Sequence, residues 1–192
     1  KTDFNVNFFK DLITKETPLV GIEPSAILTF RDEYLRLADD KDTAKKIAEN
    51  TFTIEEFLKQ EFEKNHISND SFTTKEQILK INGHCQQKSL SSTEPTFKML
   101  SIPKKYTLNI INSGCCGMAG SFGYEKEHYE LSMKVGELIL LPAVRKATAE
   151  VIIAAPGTSC RHQIKDGTGK KALHPVEILY DALTSQVGRH HR

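Results

Sequence analysis

Cysteine is the residue type through which this sequence most plainly can do chemistry. Its 192 residues contain four: Cys85, the adjacent pair Cys115 and Cys116, and Cys160. The pair lies within Ser113-Gly-Cys-Cys-Gly-Met-Ala-Gly-Ser-Phe-Gly123, and His84 and His162 stand one and two positions from a cysteine. Thiolates with neighbouring imidazoles form a ligand set for a soft or borderline metal, either zinc or an iron–sulfur cluster. The candidate ligands are therefore Cys85, Cys115, Cys116, Cys160, His84 and His162. Gly114, Gly117 and Gly120 are the candidate cofactor-binding positions. A side chain there is expected to intrude on the site, whereas bare backbone N–H groups can hydrogen-bond to sulfur. Neighbouring cysteines bridge to each other only with strain. Four in this length are too sparse for a disulfide-stapled scaffold. Free or metal-bound thiols in a reducing, cytoplasmic setting follow as the expectation.

The elements that must position these residues are legible as alternating strands and helices. The stretches QILKINGHC, YTLNIINSGCC and EVIIAAPGTSC each read as a short apolar strand running into a cysteine. Strands of this kind alternating with helices imply a parallel sheet covered by helices. In such a sheet the carboxyl ends point to one edge, where ligands collect. All four thiols are thus expected at one place, delivered by three separate strand ends.

Between these strands Pro95 opens a short helix. A long helix is expected over residues 124–148, with Pro142 kinking it. HPVEILYDALTSQV reads as a closing helix with Pro175 in its first turn. The N-terminal third reads as mostly helical: one helix over 4–13, a short strand in PLVGIEPS, one helix from Ser25 through Leu37, and one over 42–50. Another starts at a Thr53–Glu56 capping box. The polar run of residues 65–74 is the expected boundary between two units.

Composition excludes several function classes. Formal net charge is +1 with 27% charged residues, so no electrostatic drive toward nucleic acid or an anionic membrane is present. The longest apolar stretch, LILLPAV, is far too short to span a bilayer, and no signal peptide is visible. Asp166-Gly-Thr-Gly-Lys170 lacks the spacing of a phosphate loop and reads as a turn. His128 reads as a partly buried helix residue and His66 as a loop residue. His190 and His191 belong to a basic tail without specific work.

Taken together, GHCQQKSL, SGCCGMAGSFGYEKEHYELSMKVGE, LLPAVR and APGTSCRHQIKDGTGKKALHPVEIL resemble the cysteine-rich CCG domain. That domain occurs in the glycolate oxidase iron–sulfur subunit, the anaerobic glycerol-3-phosphate dehydrogenase C subunit and the heterodisulfide reductase B subunit. The likeness extends to the C-terminal region of FAD-linked oxidases that act on D-2-hydroxy acids. It covers residues 75–185 most strongly. The resemblance implies an α/β, Rossmann-like CCG domain over residues 75–188. Before it comes the tail of a first, degenerate CCG repeat over residues 1–66. It further implies a cluster or zinc on Cys85, Cys115, Cys116 and Cys160, with FAD on another part of a larger protein. The expected partners are flavin-containing and ferredoxin-like domains of the same enzyme. No transmembrane segment is expected, and location is at most peripheral to the inner face of a membrane. No residue of this chain is assigned a catalytic role, because substrate oxidation falls to the flavin. Lys88, Arg145 and Arg161 read as solvated surface, with a charge able to offset that of thiolates.

The family pattern is one cysteine, then CCG, then CxxC. Gly157 stands where the first cysteine of CxxC would be, which puts a five-cysteine site in doubt. An internal likeness accompanies it: VGIEPSAILTFRDEY aligns with AAPGTSCRHQIKDGT, matching Ser25 with Ser159, Ala26 with Cys160 and Asp32 with Asp166. By this alignment Glu23 and Ala26 are what remains of a first CxxC, and the chain is expected to be a piece of a larger enzyme. Two other classes compete with an electron-transfer module. One is a structural zinc or interaction domain; the other is a thiol-redox catalyst, ranked last because no CxxC is present.

Overall fold

A computed structural model describes residues 1–184. The expectations for His190 and His191, and for the last residues of the closing helix, lie outside the described residues. The elements run in two groups. The first contains α1 (Thr2–Phe9), β1 (Leu19–Gly21), α2 (Pro24–Ile27), α3 (Glu33–Leu37), α4 (Lys41–Glu49), β2 (Thr51–Thr53) and α5 (Ile54–Glu63). The second contains β3 (Gln77–Ile81), α6 (Cys85–Leu90), α7 (Glu94–Leu100), β4 (Tyr106–Ile110) and α8 (Tyr129–Glu137). It continues with α9 (Leu140–Arg145), β5 (Val151–Ala154), α10 (Thr158–Thr168), β6 (Ala172–Leu173) and α11 (Pro175–Asp181).

The fold is α/β, with parallel sheets flanked by helices. The larger sheet has strand order β4-β3-β5-β6 and every pairing is parallel. From β3 the chain first crosses to β4 on one side; it then returns to β5 on the other and proceeds outward to β6. The direction of winding therefore reverses between β3 and β5. The crevice that binds ligands in open α/β sheets opens at such a reversal, at the carboxyl ends of the strands. The smaller sheet is the parallel pair β1–β2.

Side-chain alternation along the strands divides the interior into two layers. Leu79, Ile81 and Ala154 join Met99, Leu100, Ile178 and Leu179 beneath α7 and α11, and Leu58 and Phe62 of α5 pack against the same layer. On the opposite face Ile153 and Ala155 join Leu140, Val144 and Ile164, and Cys116 and Cys160 belong to this second layer. The N-terminal helices close a third cluster around Val6, Ala44 and Ile47.

Several expectations require correction. The long helix over 124–148 is two helices, α8 and α9, parted at Leu138–Ile139, where Ile139 leaves helical geometry at φ −144°. Pro142 lies in the first turn of α9, and its ring excludes the carbonyl of residue 138 from a continuing helix. The single helix expected from Ser25 is instead α2, a 3-10 turn over Leu28–Arg31, and α3. In that turn the Thr29 hydroxyl donates back to the Ala26 carbonyl (2.6 Å), a local bond that competes with the helical ladder. The short strands β2 and β6 carry no signal in the sequence, and neither does α6. The capping box at Thr53 is present: Thr53 Oγ1 accepts from Glu56 N–H and the Glu56 carboxylate accepts from Thr53 N–H. Gly169, at φ +71°, ends α10 as a left-handed cap, so the Asp166–Lys170 stretch closes a helix.

The two groups lock together through partly buried polar contacts. Arg31 Nη1 donates to both carboxylate oxygens of Glu56 (2.9 and 2.8 Å), and Nη2 donates to the Leu90 carbonyl (3.1 Å). Ser91 donates to Glu56 as well. The segment of residues 65–74 is anchored too, with Asn69 donating to the Ile102 carbonyl and Phe72 buried. Glu55 is fully buried (0% exposed), and neither of its oxygens has a hydrogen-bond partner. His174 Nε2 stands 3.7 Å from it and donates instead to the Ile22 carbonyl (2.8 Å). Burial pushes the Glu55 carboxyl up to about 7.

Candidate functional site

The parallel strands deliver the cysteines as their order requires. After β3 the chain turns through Asn82-Gly-His84, and Cys85 is the first residue of α6. After β4 comes the Cys115-Cys116 loop, and after β5 Cys160 lies in the first turn of α10. Cys85 and Cys160 flank the crevice where the winding reverses. All four thiols are free. Cys116 and Cys160 are buried, at 3% and 1% exposure, and Cys85 and Cys115 are partly exposed.

The Cys160 thiol donates to Cys116 Sγ at 3.2 Å. That hydrogen bond, with backbone N–H donation from the Met118 region, lowers the Cys116 thiol to about 6 despite its burial. The same contact pushes Cys160 well above the ordinary thiol range, with burial and the charge of the other three thiols adding to it. Burial first, then hydrogen bonding to Cys115, raises Cys85 to about 11. Cys116 and Cys160 are thus a contacting pair, and Cys85 and Cys116 line one cavity. The contact therefore favours the thiolate at Cys116 and the thiol at Cys160.

The three glycines differ in what surrounds them. Gly117 N–H donates to Cys115 Sγ (3.3 Å), which is the anticipated backbone-to-sulfur bond. A Cβ at Gly117, at φ +102°, would collide with the Ser132 carbonyl of α8 rather than with sulfur. At Gly114 and Gly120 a Cβ would meet no protein atom within 4 Å, so the space beside them is open. A cavity of about 260 Å³ opens beside the thiols, lined by Cys85, Cys116, His84, Ser25, Ser159 and Gly120.

Neither histidine points a free Nδ1 at the thiols. His84 Nδ1 accepts from Gln86 N–H (3.3 Å), capping α6, and Gln87 closes a capping box. Burial holds the His84 imidazole below its ordinary pKa. His162 is exposed, its Nδ1 2.7 Å from the Tyr124 hydroxyl. His84 has a second consequence: a Cβ placed on Gly157 would collide with its ring. The imidazole fills the space that a side chain at 157 would need. Beside it, Glu23 Oε2 accepts the Thr158 N–H at the start of α10 (2.9 Å). Burial alone pushes the Glu23 carboxyl up, but the hydrogen bonds from Thr158 and Ser25 together outweigh it and leave Glu23 lowered.

Whether these residues fit a metal group divides into chemistry and arrangement. Four thiols at one edge match a thiophilic ion or cluster. A buried donor without an acceptor, Asn82 Nδ2, sits three residues before Cys85. Among the described residues, however, no group of three or more His, Cys, Asp or Glu side chains is arranged to hold a metal ion. Around a tetrahedral ion with bonds near 2.3 Å, ligand sulfurs stand about 3.8 Å apart. The 3.2 Å between Cys116 and Cys160 is therefore the separation of a hydrogen-bonded thiol pair. The donor types fit, and loading would require the sulfurs to spread.

Sequence reasoning misses what Glu23, Asn82 and Lys88 contribute to this region. Glu23 carries a signal through its place in the internal alignment, and Lys88 only through its nearness to Cys85. Asn82 carries none.

No family model matches the chain, and no solved structure matches it. Curated relatives are similar over most of its length. It is 28% identical over 169 residues to a D-2-hydroxyglutarate dehydrogenase of Escherichia coli (strain K12), covering 86% of this chain and 16% of the relative. The Haemophilus influenzae D-2-hydroxyglutarate dehydrogenase is 29% identical over 179 residues with the same coverage. The C subunit of the anaerobic glycerol-3-phosphate dehydrogenase of E. coli K12 is 25% identical over 184 residues, covering 93% of this chain and 44% of the relative. The chain therefore spans 16% of the length of the first relatives and less than half of the second kind. The relatives are dehydrogenases or dehydrogenase subunits. No helix among the described residues is long and apolar enough to cross a membrane.

Proposed function

We propose that this chain is a metal- or iron–sulfur-binding electron-transfer module of a flavin-linked dehydrogenase that oxidises a 2-hydroxy acid. One observation supports it: the four cysteines follow the carboxyl ends of three parallel strands, beside the reversal of the sheet, where such folds place ligands. In this reading Cys85, Cys115, Cys116 and Cys160 hold the group, and residues 75–188 form a CCG domain. Residues 1–66 are the tail of a first repeat that has lost its cysteines. The names of the relatives support a dehydrogenase context. An iron–sulfur cluster, when bound, supplies one-electron acceptance and release. The chain's own residues bind and shield it. Cys116 enters as thiolate, Gly117 N–H supports Cys115, and the buried second layer excludes water from Cys116 and Cys160. His84 and His162 contribute through hydrogen bonds at the rim. Hydride removal from substrate and the FAD belong to other domains, which also serve as the partners.

Anaerobic purification followed by metal analysis and visible and EPR spectra tests this assignment. Iron with matching sulfide and a reducible signal is the expected result, and it is lost in Cys116→Ser. Colourless, iron-free protein after anaerobic reconstitution overturns the electron-transfer role. A second reading, a domain tied together by zinc or by no metal at all, draws on the absence of a three-ligand arrangement among the described residues. Stoichiometric zinc with a chelator-sensitive melting temperature and no redox signal distinguishes it.

A further inference from the structure

Lys88 lies three residues after Cys85 on α6, and therefore on the same helix face. Its ammonium donates to the carbonyls of Ser113 (2.8 Å) and Gly114 (2.6 Å), the two residues immediately before Cys115. From the other end of the same segment, Asn82 Oδ1 accepts the Ser113 hydroxyl (2.7 Å), and Asn82 is only 1% exposed. The backbone from Asn82 to Lys88 thus delivers Cys85 and also grips the stretch that delivers Cys115 and Cys116. Residues 112–121 of that loop belong to no helix or strand, so side-chain bonds must hold much of its position.

We propose that Lys88, assisted by the Asn82–Ser113 hydrogen bond, is a positioning residue that sets the Cys85 thiol against the Cys115–Cys116 loop. The inference rests on the reading of the four thiols as one ligand set, but concerns their placement in the metal-free chain. A lysine clamp elsewhere in the molecule supplies the control. Lys170 Nζ donates to the carbonyls of Val144, Arg145 and Ala147 at the end of α9. It is the same kind of bond on a segment that carries no thiol.

The test uses the reduced, metal-free chain and dibromobimane, which links two thiols only when they stand close together. Peptide mass mapping reports the Cys85–Cys115 link. Lys88→Met removes both ammonium hydrogen bonds and should lower the link's yield at least about fivefold, the scale of a single one. Lys88→Arg, which can still donate to two carbonyls, should restore it to within about twofold, and Ser113→Ala should fall between. Lys170→Met should lower the melting temperature and leave the link unchanged. Lys88→Met linking as well as the unaltered chain overturns the proposal. Lys170→Met losing the link as far as Lys88→Met also overturns it, because the effect would then be general loosening. Since no metal enters, a chain that binds none leaves this result standing, and failure here leaves metal binding untouched.

Discussion

The β1–β2 half and the β5–β6 half of the molecule are built to one plan and finished differently. Each is a parallel pair of strands joined by helix, and each second strand runs into a helix opened by a capping box. The boxes are Thr53 with Glu56 and His174 with Glu177. After β5 the chain makes one uninterrupted helix, α10, that carries Cys160 into the buried second layer. After β1 the aligned residues break into α2, a 3-10 turn and α3, and Ala26 stands where Cys160 would be. Glu23 does not idle there, because its carboxylate caps the first turn of α10 across the junction. Arg31 is likewise drawn to Glu56 and the Leu90 carbonyl. Residues of the first half thus brace the second.

Glu55 offers the largest way to break this contrast. It occupies the second helical position of α5, where α11 has Val176. Its carboxyl is raised from 4.5 to about 7, so the folded chain keeps a proton that the unfolded chain releases. Below pH 4.5 both states are protonated and Glu55 costs nothing through ionisation. As pH rises from 4.5 through 7 stability falls, by about 3 kcal/mol at most. His84 and His174, both lowered by burial, act in the opposite sense: they add stability as pH rises toward the ordinary histidine range. Glu55→Gln isolates the carboxyl: urea melts should show the variant gaining on the parent steadily between pH 4.5 and 8.

Glu56 ranks next. Alanine there removes the reciprocal cap, the Arg31 pair and the Ser91 bond together, at a cost of about 2–3 kcal/mol in the same melts. The equivalent Glu177 is exposed and bonded only within its own cap, so Glu177→Ala should cost no more than about 1 kcal/mol.

Gly157→Cys sharpens the comparison at the site itself. It supplies the further cysteine of the proposed CCG pattern but drives a Cβ into the His84 ring, which should cost about 1–3 kcal/mol. Gly157→Cys combined with His84→Ala should be more stable than the sum of the single changes, and a double-mutant cycle measures the difference. Additive behaviour would mean that His84 is not what keeps residue 157 small. A small effect, comparable to that of Glu177→Ala, is expected from Thr53→Ala, which removes one accepted backbone bond and should cost about 1 kcal/mol.

Much of this is legible locally. The strands ending at Ile81, Ile110 and Ala154 stand out as short apolar runs, and the Thr53 box as a spacing. The break at Leu138 is half visible. Pro142 signals a kink, yet a proline forbids both the bond and the carbonyl four residues before it, so the helix stops there. What stays hidden are β2 and β6, three and two residues long. Elements so short carry almost no periodicity and form only because a neighbouring strand supplies hydrogen bonds.

For the site, residue types and strand-end placement are enough to bring Cys85, Cys115, Cys116 and Cys160 to one edge, because parallel strands leave no alternative. Which thiol is pushed down and which is pushed up is not in the order of residues. It follows from the 3.2 Å approach of Cys160 to Cys116 across 44 positions of chain. The roles of His84, Glu23 and Lys88 are decided in the same way. Each depends on a partner distant in sequence: Gly157 beside the imidazole, Thr158 N–H on the carboxylate, and the Ser113 and Gly114 carbonyls on the ammonium. Local composition sets which chemistry a chain can attempt. Side-chain packing between separate segments determines which groups are desolvated, paired and held still, and those conditions fix what each group does.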